Sequence, residues 1–189
     1  MLGPLAFVGA WAGLGAIAGR YDPTRDAISK LAALGTPTRP AMTAGLLALG
    51  AGMALYGLAL RPGPERPWER GASPGWPLPI VNGATAFAVA LLPLGGGHDG
   101  AHGAAAAVGY VSLAAIPVVV GRRRPMGVVI GAGAGACLLA SALVDRSGLL
   151  QRLGLTVAQA WVVVSAVGLL RRRRSSDEPA TSAGWRSRT

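Results

Sequence analysis

The stretch AMTAGLLALGAGMALYGLAL, residues 41–60, contains no acidic or basic side chain in 20 residues. An α-helix needs roughly 20 apolar residues to cross the hydrocarbon core of a bilayer. Backbone groups in hydrocarbon must pair within their own element, and the alternating pattern of membrane strands is absent. We therefore predict an all-α fold, a polytopic transmembrane bundle of six helices, because five more runs of 18 or 19 residues share this composition: 2–19, 77–95, 103–121, 126–144 and 153–170.

Composition agrees with a membrane chain and argues against nucleic-acid binding. Hydrophobic residues make up 51% of the 189 residues, charged residues only 14%, and the mean hydropathy is +0.44. The net charge of +10 comes from arginines in connectors and in the tail, without interleaved aromatic residues or a recognised nucleic-acid motif. We predict membrane lipid as a partner and no nucleic acid.

The distribution of Lys and Arg predicts the orientation. The second connector (61–76), the fourth connector (122–125) and the tail carry 12 such residues, whereas the first (20–40), third (95–102) and fifth (145–152) connectors carry 6. Because the positive side stays cytoplasmic, we predict a multi-pass plasma-membrane protein with both termini in the cytoplasm. Residues 1–170 are predicted to form the transmembrane domain, and residues 171–189 a disordered basic cytoplasmic tail that can touch anionic headgroups.

Glycine spacing predicts close helix packing. Gly9 and Gly13, and also Gly15 and Gly19, have the small-xxx-small spacing that lets helix backbones approach, and the run 127–135 repeats it. We expect these faces to pack within the chain, with a partner protein or a second copy as the alternative. Ala16-Ile17-Ala18 resembles a signal-peptidase site, but no Lys or Arg precedes the apolar run, so an uncleaved span is favoured.

The first connector is predicted to form a short amphipathic helix at the outer surface. Asp22 is a good N-cap, Pro23 fits the first helical position, and Gly35 can end the helix. Asp26 and Lys30 lie one turn apart on the polar face, near Ser29. A solvated face with weak ion pairs is the alternative to a binding role.

The third and fifth connectors add ionisable groups to the same face. His98 and His102 are four residues apart, a spacing that would place both imidazoles on one side of a helix as metal ligands. The glycines around them favour a flexible turn over a helix from His98, so the sequence gives little support to a metal site. His102 opens a span, where an imidazole should be paired or water-facing, as a site residue or as an interfacial cap. Asp145 should pair with His102 or with Arg146 or Arg152, or face a wet cavity.

Polar side chains inside the spans are expected to bond between helices rather than to bind ligand. The strongest of them are Asn82, Thr85, Thr156, Gln159 and Ser165. The single Cys137 lies inside a span and cannot form an internal disulfide.

No enzyme class finds support in the motifs. A lipid phosphatase of the acid-phosphatase type needs a Ser-Gly-His after its Lys and Arg-Pro stretch, and a rhomboid-like protease needs a Gly-x-Ser-x-Gly-type nucleophile with a partner His. Neither set is present, and there is no phosphate-binding loop, no dinucleotide fingerprint and no paired cysteine site. We predict no catalytic residues, no cofactor and no resident metal.

Four short stretches carry a resemblance to a known family. They are residues 21–31 (YDPTRDAISKL), 37–40 (PTRP), His102-Gly103 and Leu150-Gln151-Arg152. Together they resemble a prokaryotic six-span membrane family catalogued as domain of unknown function nine-nine-eight, over about residues 1–170. That family often has Ile-Ser-Glu-Leu at 28–31 and Phe-Pro at 92–93, where this chain has Lys30 and Leu92. The resemblance implies the six-span fold and the outer polar cluster, and implies no reaction.

The leading functional prediction is a non-enzymatic module that binds or passes a small or lipid-like ligand. The predicted pocket lies at the outer leaflet, and its predicted ligand-binding residues are Asp26, Ser29, His102, Asp145 and Arg152. The alternative is an accessory or assembly subunit that packs through its glycine faces on a membrane-protein partner or on a second copy of itself.

Overall fold

The computed structural model describes residues 2–62, 73–121, 124–144 and 147–177, with side chains as far as Arg171. These residues form helices and no strands. The helices are α1 Leu2–Ile17, a 3-10 helix Ile28–Ala32, α2 Arg39–Leu60, α3 Pro77–Leu91, α4 Asp99–Val120, α5 Pro125–Ser141 and α6 Ser147–Asp177. The predicted fold class, a helical membrane bundle of six helices with a short additional helix, is confirmed.

The helices differ in length more than the apolar runs do. Three of them, α2, α4 and residues 147–171 of α6, are long and apolar enough to cross a membrane. The other three are apolar but have only 16, 15 and 17 residues. At 1.5 Å per residue, a 15-residue helix is about 23 Å long, shorter than the hydrocarbon core. Each of these three apolar runs extends past the end of its helix, and the last residues of the run lie in the turn that follows.

Proline and glycine determine several helix ends. Pro40, Pro77 and Pro125 lie in the first turns of α2, α3 and α5, where their missing N–H costs no hydrogen bond. Gly95 and Gly97 have φ of +83° and +77°, which only glycine adopts easily, and they turn the chain from α3 into α4. That turn allows α4 to begin at Asp99, with His98 as the non-helical residue that precedes the helix.

Helices adjacent in sequence pack together, and α6 also contacts α4 and α1. The core contains large side chains that are almost fully buried, among them Met42, Met53, Ile116 and Val162. Large apolar side chains also cover the outside, with Val111, Leu139 and Val164 exposed at 72%, 67% and 70%. An apolar exterior of this kind fits contact with lipid.

The predicted glycine faces divide into two groups. A Cβ added at Gly131 of α5 would lie 2.5 Å from the Ala114 carbonyl oxygen of α4, so this face packs within the chain as predicted. A Cβ added at Gly9, Gly13 or Gly19 would meet no atom within 4 Å. The expectation that these three glycines pack within the chain was wrong, because α1 contacts α2 through Gly3 instead.

The end of α6 lies beyond the predicted span. The helix continues to Asp177, and residues 178–189, the rest of the predicted basic tail, lie outside the described residues. The division into a domain and a tail stays a prediction.

Candidate ligand cavity

The three odd-numbered connectors meet at one end of the bundle. Backbone hydrogen bonds join Leu34 N–H to the carbonyl of Leu94, in the turn from α3 into the third connector, and Leu149 N–H to the Thr24 carbonyl, both at 3.0 Å. The first connector therefore contacts both of the others. Its 3-10 helix buries Ile28, Leu31 and Ala32, as the predicted apolar face requires.

The first connector does not form the predicted α-helix from Asp22. Asp22 Oδ1 accepts hydrogen bonds from the backbone N–H and the hydroxyl of Thr24, at 2.8 and 2.7 Å, and so closes a turn. Side-chain bonds of this kind compete with helix formation. The helical segment starts six residues later, at Ile28, and has only five residues.

The polar face of this connector contains the predicted ion pair. Lys30 Nζ lies 2.6 Å from Asp26 Oδ1, and the backbone N–H of Asp22 donates to Asp26 Oδ2 at 2.8 Å. The hydrogen bond from Lys30 is the main reason that the pKa of Asp26 is lowered. The pKa of Asp22 is also lowered, chiefly by the Thr24 hydroxyl.

Arg152 on α6 holds the first connector against the bundle. Its side chain is only 8% exposed. Nη1 donates to the carbonyl oxygens of Pro23, Asp26 and Gly148 at 2.6, 3.0 and 2.8 Å. Among the described residues, the Nη1 partners are thus neutral carbonyls rather than a carboxylate.

Two aromatic residues complete the surroundings of the guanidinium. The Arg152 Cζ atom lies 5.4 Å from the ring centroid of Trp11 and 5.3 Å from that of Tyr21, within cation–π range. Nη2 also donates to the Tyr21 hydroxyl. Burial raises the pKa of Tyr21, and the charge of Arg152 partly opposes that rise.

His102 is buried at the start of α4, with 5% of its surface exposed. Its Nδ1 lies 2.7 Å from the carbonyl oxygen of Leu92. Asp26, the acid of the first connector, pairs with Lys30. Asp145, which was predicted as a partner of His102, lies outside the described residues.

A cavity of about 80 Å³ lies among the helices next to this end. That volume could hold two or three water molecules or one small organic group. Its walls come from five helices and from the first connector. The polar members of the lining are Ser29, Asn82, Thr85, His102, Tyr110, Gln151 and Gln159, and the remainder are apolar or glycine.

Gln151 connects the first connector to the cavity wall. Its Oε1 accepts a hydrogen bond from the backbone N–H of Ile28 at 2.8 Å, and its Nε2 donates to the Tyr110 hydroxyl. The backbone N–H can only donate, so this bond determines which side of the amide holds the oxygen. The cavity wall and the first connector are therefore coupled through one amide.

Gln159 on α6 has no hydrogen-bond partner at either amide atom among the described residues, although only 2% of the residue is exposed. The expectation that it bonds to another helix was wrong. Two other predicted interhelical partners do bond across helices. Asn82 donates to the Gly109 carbonyl at 2.8 Å, and Ser165 lies 2.7 Å from the Tyr56 hydroxyl.

The structure brings together only part of the predicted site. Ser29 and His102 line the cavity. Asp26 lines a separate cleft of about 770 Å³ beside the end of α1, together with Arg20 and Lys30. Arg152 lies behind the first connector and lines neither space, so its role is to position that connector.

Sequence reasoning did not place Tyr110 or Gln151 in the site. Tyr110 follows His102 by two helical turns, and Gln151 lies in one of the stretches that carry the family resemblance. Their positions in the sequence therefore indicated a possible role in the site, but the contact between them depends on how α4 and α6 pack.

Among the described residues, no group of three or more His, Cys, Asp or Glu side chains could hold a metal ion.

Comparison with known proteins agrees with the resemblance carried by the four short stretches. No curated protein and no solved structure is significantly similar to this chain. The family model described as Protein of unknown function (DUF998) matches residues 1–168, which include all six apolar runs except the last two residues of the sixth. The chain belongs to this family.

Proposed function

We propose that this protein binds a small ligand, or one part of a lipid-like molecule, in the cavity beneath the first connector. The observation that supports this most strongly is Gln159, an amide buried in the cavity wall that has no hydrogen-bond partner in the part of the chain that the structure describes. Leaving a buried polar group unpaired costs about 1–3 kcal/mol. A ligand that pairs with the amide would recover part of that free energy.

The surroundings of the cavity support the same proposal. The first connector forms one part of the wall through Ile28 and Ser29, and Arg152 and Gln151 hold that connector in place. A pocket with such defined walls loses little conformational freedom when a ligand enters. Apolar lining with a few polar groups is typical of small-molecule sites.

The test is a cavity-filling substitution with a matched control. Ala106 on α4 lines the cavity, whereas Ala107 is exposed and does not. Each is replaced by leucine, and the proteins are purified in mild detergent and extracted with organic solvent. We expect mass spectrometry to find a compound that co-purifies with the wild type and with Ala107→Leu but is lost from Ala106→Leu.

Two outcomes would count against ligand binding in the cavity. One is that wild type and Ala106→Leu retain the same compounds in the same amounts. The other is that no compound is retained in stoichiometric amount by the wild type. Near-identical melting temperatures of the two leucine variants would show that a loss of ligand does not reflect a loss of folding.

We further propose that the cavity opens toward the outer face of the plasma membrane. The six runs cross the membrane in alternate directions in this proposal, and two observations support it. The odd-numbered connectors meet at one end of the bundle. The even-numbered connectors and the tail carry twice as many Lys and Arg residues, 12 against 6, which favours the cytoplasm for them.

The second candidate function is assembly with another membrane protein or with a second copy of the chain. The observation that favours it is the open face of α1, where a Cβ added at Gly9 or Gly13 would meet no atom of the described residues within 4 Å. Close helix packing in membranes uses such small residues. Gly13→Leu should then reduce a cross-linked complex in native membranes, whereas an unchanged cross-linking pattern would exclude this face.

A further inference from the structure

This inference rests on the proposed binding of a ligand in the cavity. The hydrogen bonds within the cavity wall restrict which ligands the cavity can bind. Gln151 accepts from the backbone N–H of Ile28, so its amide nitrogen must be the atom that faces Tyr110. The Tyr110 oxygen therefore acts as the acceptor in that bond. Its own hydroxyl hydrogen has no acceptor among the described residues, and it is free to donate.

His102 and Gln159 add further hydrogen-bonding capacity. Nδ1 of His102 faces the Leu92 carbonyl, which can only accept, so Nδ1 holds a hydrogen. In the neutral imidazole, Nε2 is then left with a free lone pair. Gln159 supplies one further acceptor and two donors, none of them paired with a described residue.

Fixed charge is missing from this lining. None of the described residues around the cavity is Asp, Glu, Lys or Arg. Moving an ion from water into such a space costs far more than moving an uncharged polar molecule, because no carboxylate, ammonium or guanidinium group of the described lining residues compensates its charge.

We infer that the cavity selects an uncharged ligand with a carbonyl or hydroxyl oxygen that accepts a hydrogen bond from Tyr110. The charge of the ligand and the presence of this oxygen are the two features that the wall can distinguish. Apolar side chains such as Phe7, Leu46 and Leu113 would contact the remainder of the ligand.

The chain has two histidines, and their ring signals can report the binding of simple probe molecules in place of the natural ligand. His102 lines the cavity, while His98 is exposed and does not. Protein labelled with ¹⁵N-histidine is titrated in detergent with acetamide and with acetate, which have nearly the same size and differ in charge. We expect acetamide to shift the His102 ring signals saturably, with His98 as the internal reference, and acetate to leave both unchanged.

Tyr110→Phe tests the hydrogen bond itself. One neutral hydrogen bond is worth about 0.5–1.5 kcal/mol, so the variant should bind acetamide about 2- to 10-fold more weakly. Equal binding of acetate and acetamide to the wild type would overturn the selection for an uncharged ligand, whether or not the variant folds. Unchanged acetamide affinity in a folded Tyr110→Phe protein would overturn the role of its hydroxyl.

Failure of the proposed function has a different signature. If neither probe shifts His102 and no compound co-purifies with the wild type, then the cavity is not a binding site. If a compound co-purifies in an Ala106-dependent manner but acetate binds as well as acetamide, the cavity binds a ligand and only the inferred ligand class is wrong.

Discussion

Arg152 shows how neutral groups can surround a buried cation. Its guanidinium donates to three backbone carbonyls and to one hydroxyl and lies over two aromatic rings. Hydrogen bonds to a charged group are worth roughly twice those between neutral groups. A buried charge is nevertheless costly, and Nε has no hydrogen-bond partner among the described residues. Removing the guanidinium would leave the carbonyls of Pro23 and Asp26 without this donor. We therefore expect the hydrogen bonds of Arg152 to contribute more to stability than the burial of its charge costs.

Replacement of Arg152 by methionine should therefore destabilise the protein. We expect the free energy of unfolding to fall by about 2 kcal/mol or more, measured by SDS titration of the detergent-solubilised protein. Arg25→Met is the matched control, because the Arg25 side chain is 74% exposed and lies 3.9 Å from Asp22. An exposed pair of this kind contributes little, about 0.5 kcal/mol. Equal losses in both variants would contradict the role given to Arg152.

Individual residues also show where sequence reasoning succeeds. The pair of Asp26 with Lys30 follows from their spacing of four, and it forms as predicted. Gln159 was expected to bond to another helix, but its amide has no partner within the described parts of the chain. Spacing along the chain determines which neighbours meet within one turn, whereas the partners of an interior amide depend on how separate helices pack.

At the scale of elements, helix packing depends on glycines that have no space for a side chain. A Cβ added at Gly83 of α3 would lie 2.6 Å from the Gly50 carbonyl oxygen of α2. Backbone atoms on both sides cannot move apart without separating the two helices. The predicted face at Gly9 and Gly13 has the small-xxx-small spacing of the packed face on α5, but it makes no such contact. The spacing alone therefore did not distinguish a packed face from an open one.

Gly83→Ala should weaken the contact of α2 with α3. Overpacking of this kind costs about 1–3 kcal/mol, and thermal unfolding in detergent would measure it. Gly9→Ala is the control, because a Cβ there meets nothing within 4 Å and alanine favours a helix by up to about 1 kcal/mol. A Gly83→Ala protein as stable as Gly9→Ala would mean that these two helices do not lie this close.

The first connector shows a second limit of element prediction. Its apolar face at Ile28, Leu31 and Ala32 was predicted correctly and is buried. Its helix type and starting point were not, because the Asp22 side chain bonds to Thr24 and closes a turn before the helix. Strong capping residues favour a turn as well as a helix, and the sequence pattern does not distinguish the two.

At the scale of the whole molecule, apolar runs without charge were enough to predict six helices, because hydrocarbon leaves few other structures for a backbone. Composition alone could not predict which residues line the cavity. Ser29, His102, Tyr110 and Gln151 come from three separated parts of the chain and line one cavity only after the bundle has formed. Sequence reasoning predicted a pocket at this end of the bundle, but it placed Asp26 and Arg152 in the lining, where the cavity has Tyr110 and Gln151 instead.

The proposed topology can be tested by cysteine labelling in intact cells. With Cys137 replaced by serine, Thr24→Cys in the first connector should react with a membrane-impermeant maleimide added outside. Pro74→Cys in the second connector should react only after permeabilisation. Both positions are exposed, so access should depend on the membrane side alone. The reverse pattern would contradict the orientation drawn from Lys and Arg.

Binding inside the cavity is the central claim, and an add-back measurement with ¹⁵N-histidine-labelled protein tests it most directly. The wild type is freed of its co-purified compound, and the organic extract of untreated protein is then returned to it. We predict that the His102 ring signals shift and saturate, that those of exposed His98 do not, and that Ala106→Leu shows no shift. Equal shifts at both histidines, or the same shift at His102 in Ala106→Leu, would contradict binding in this cavity.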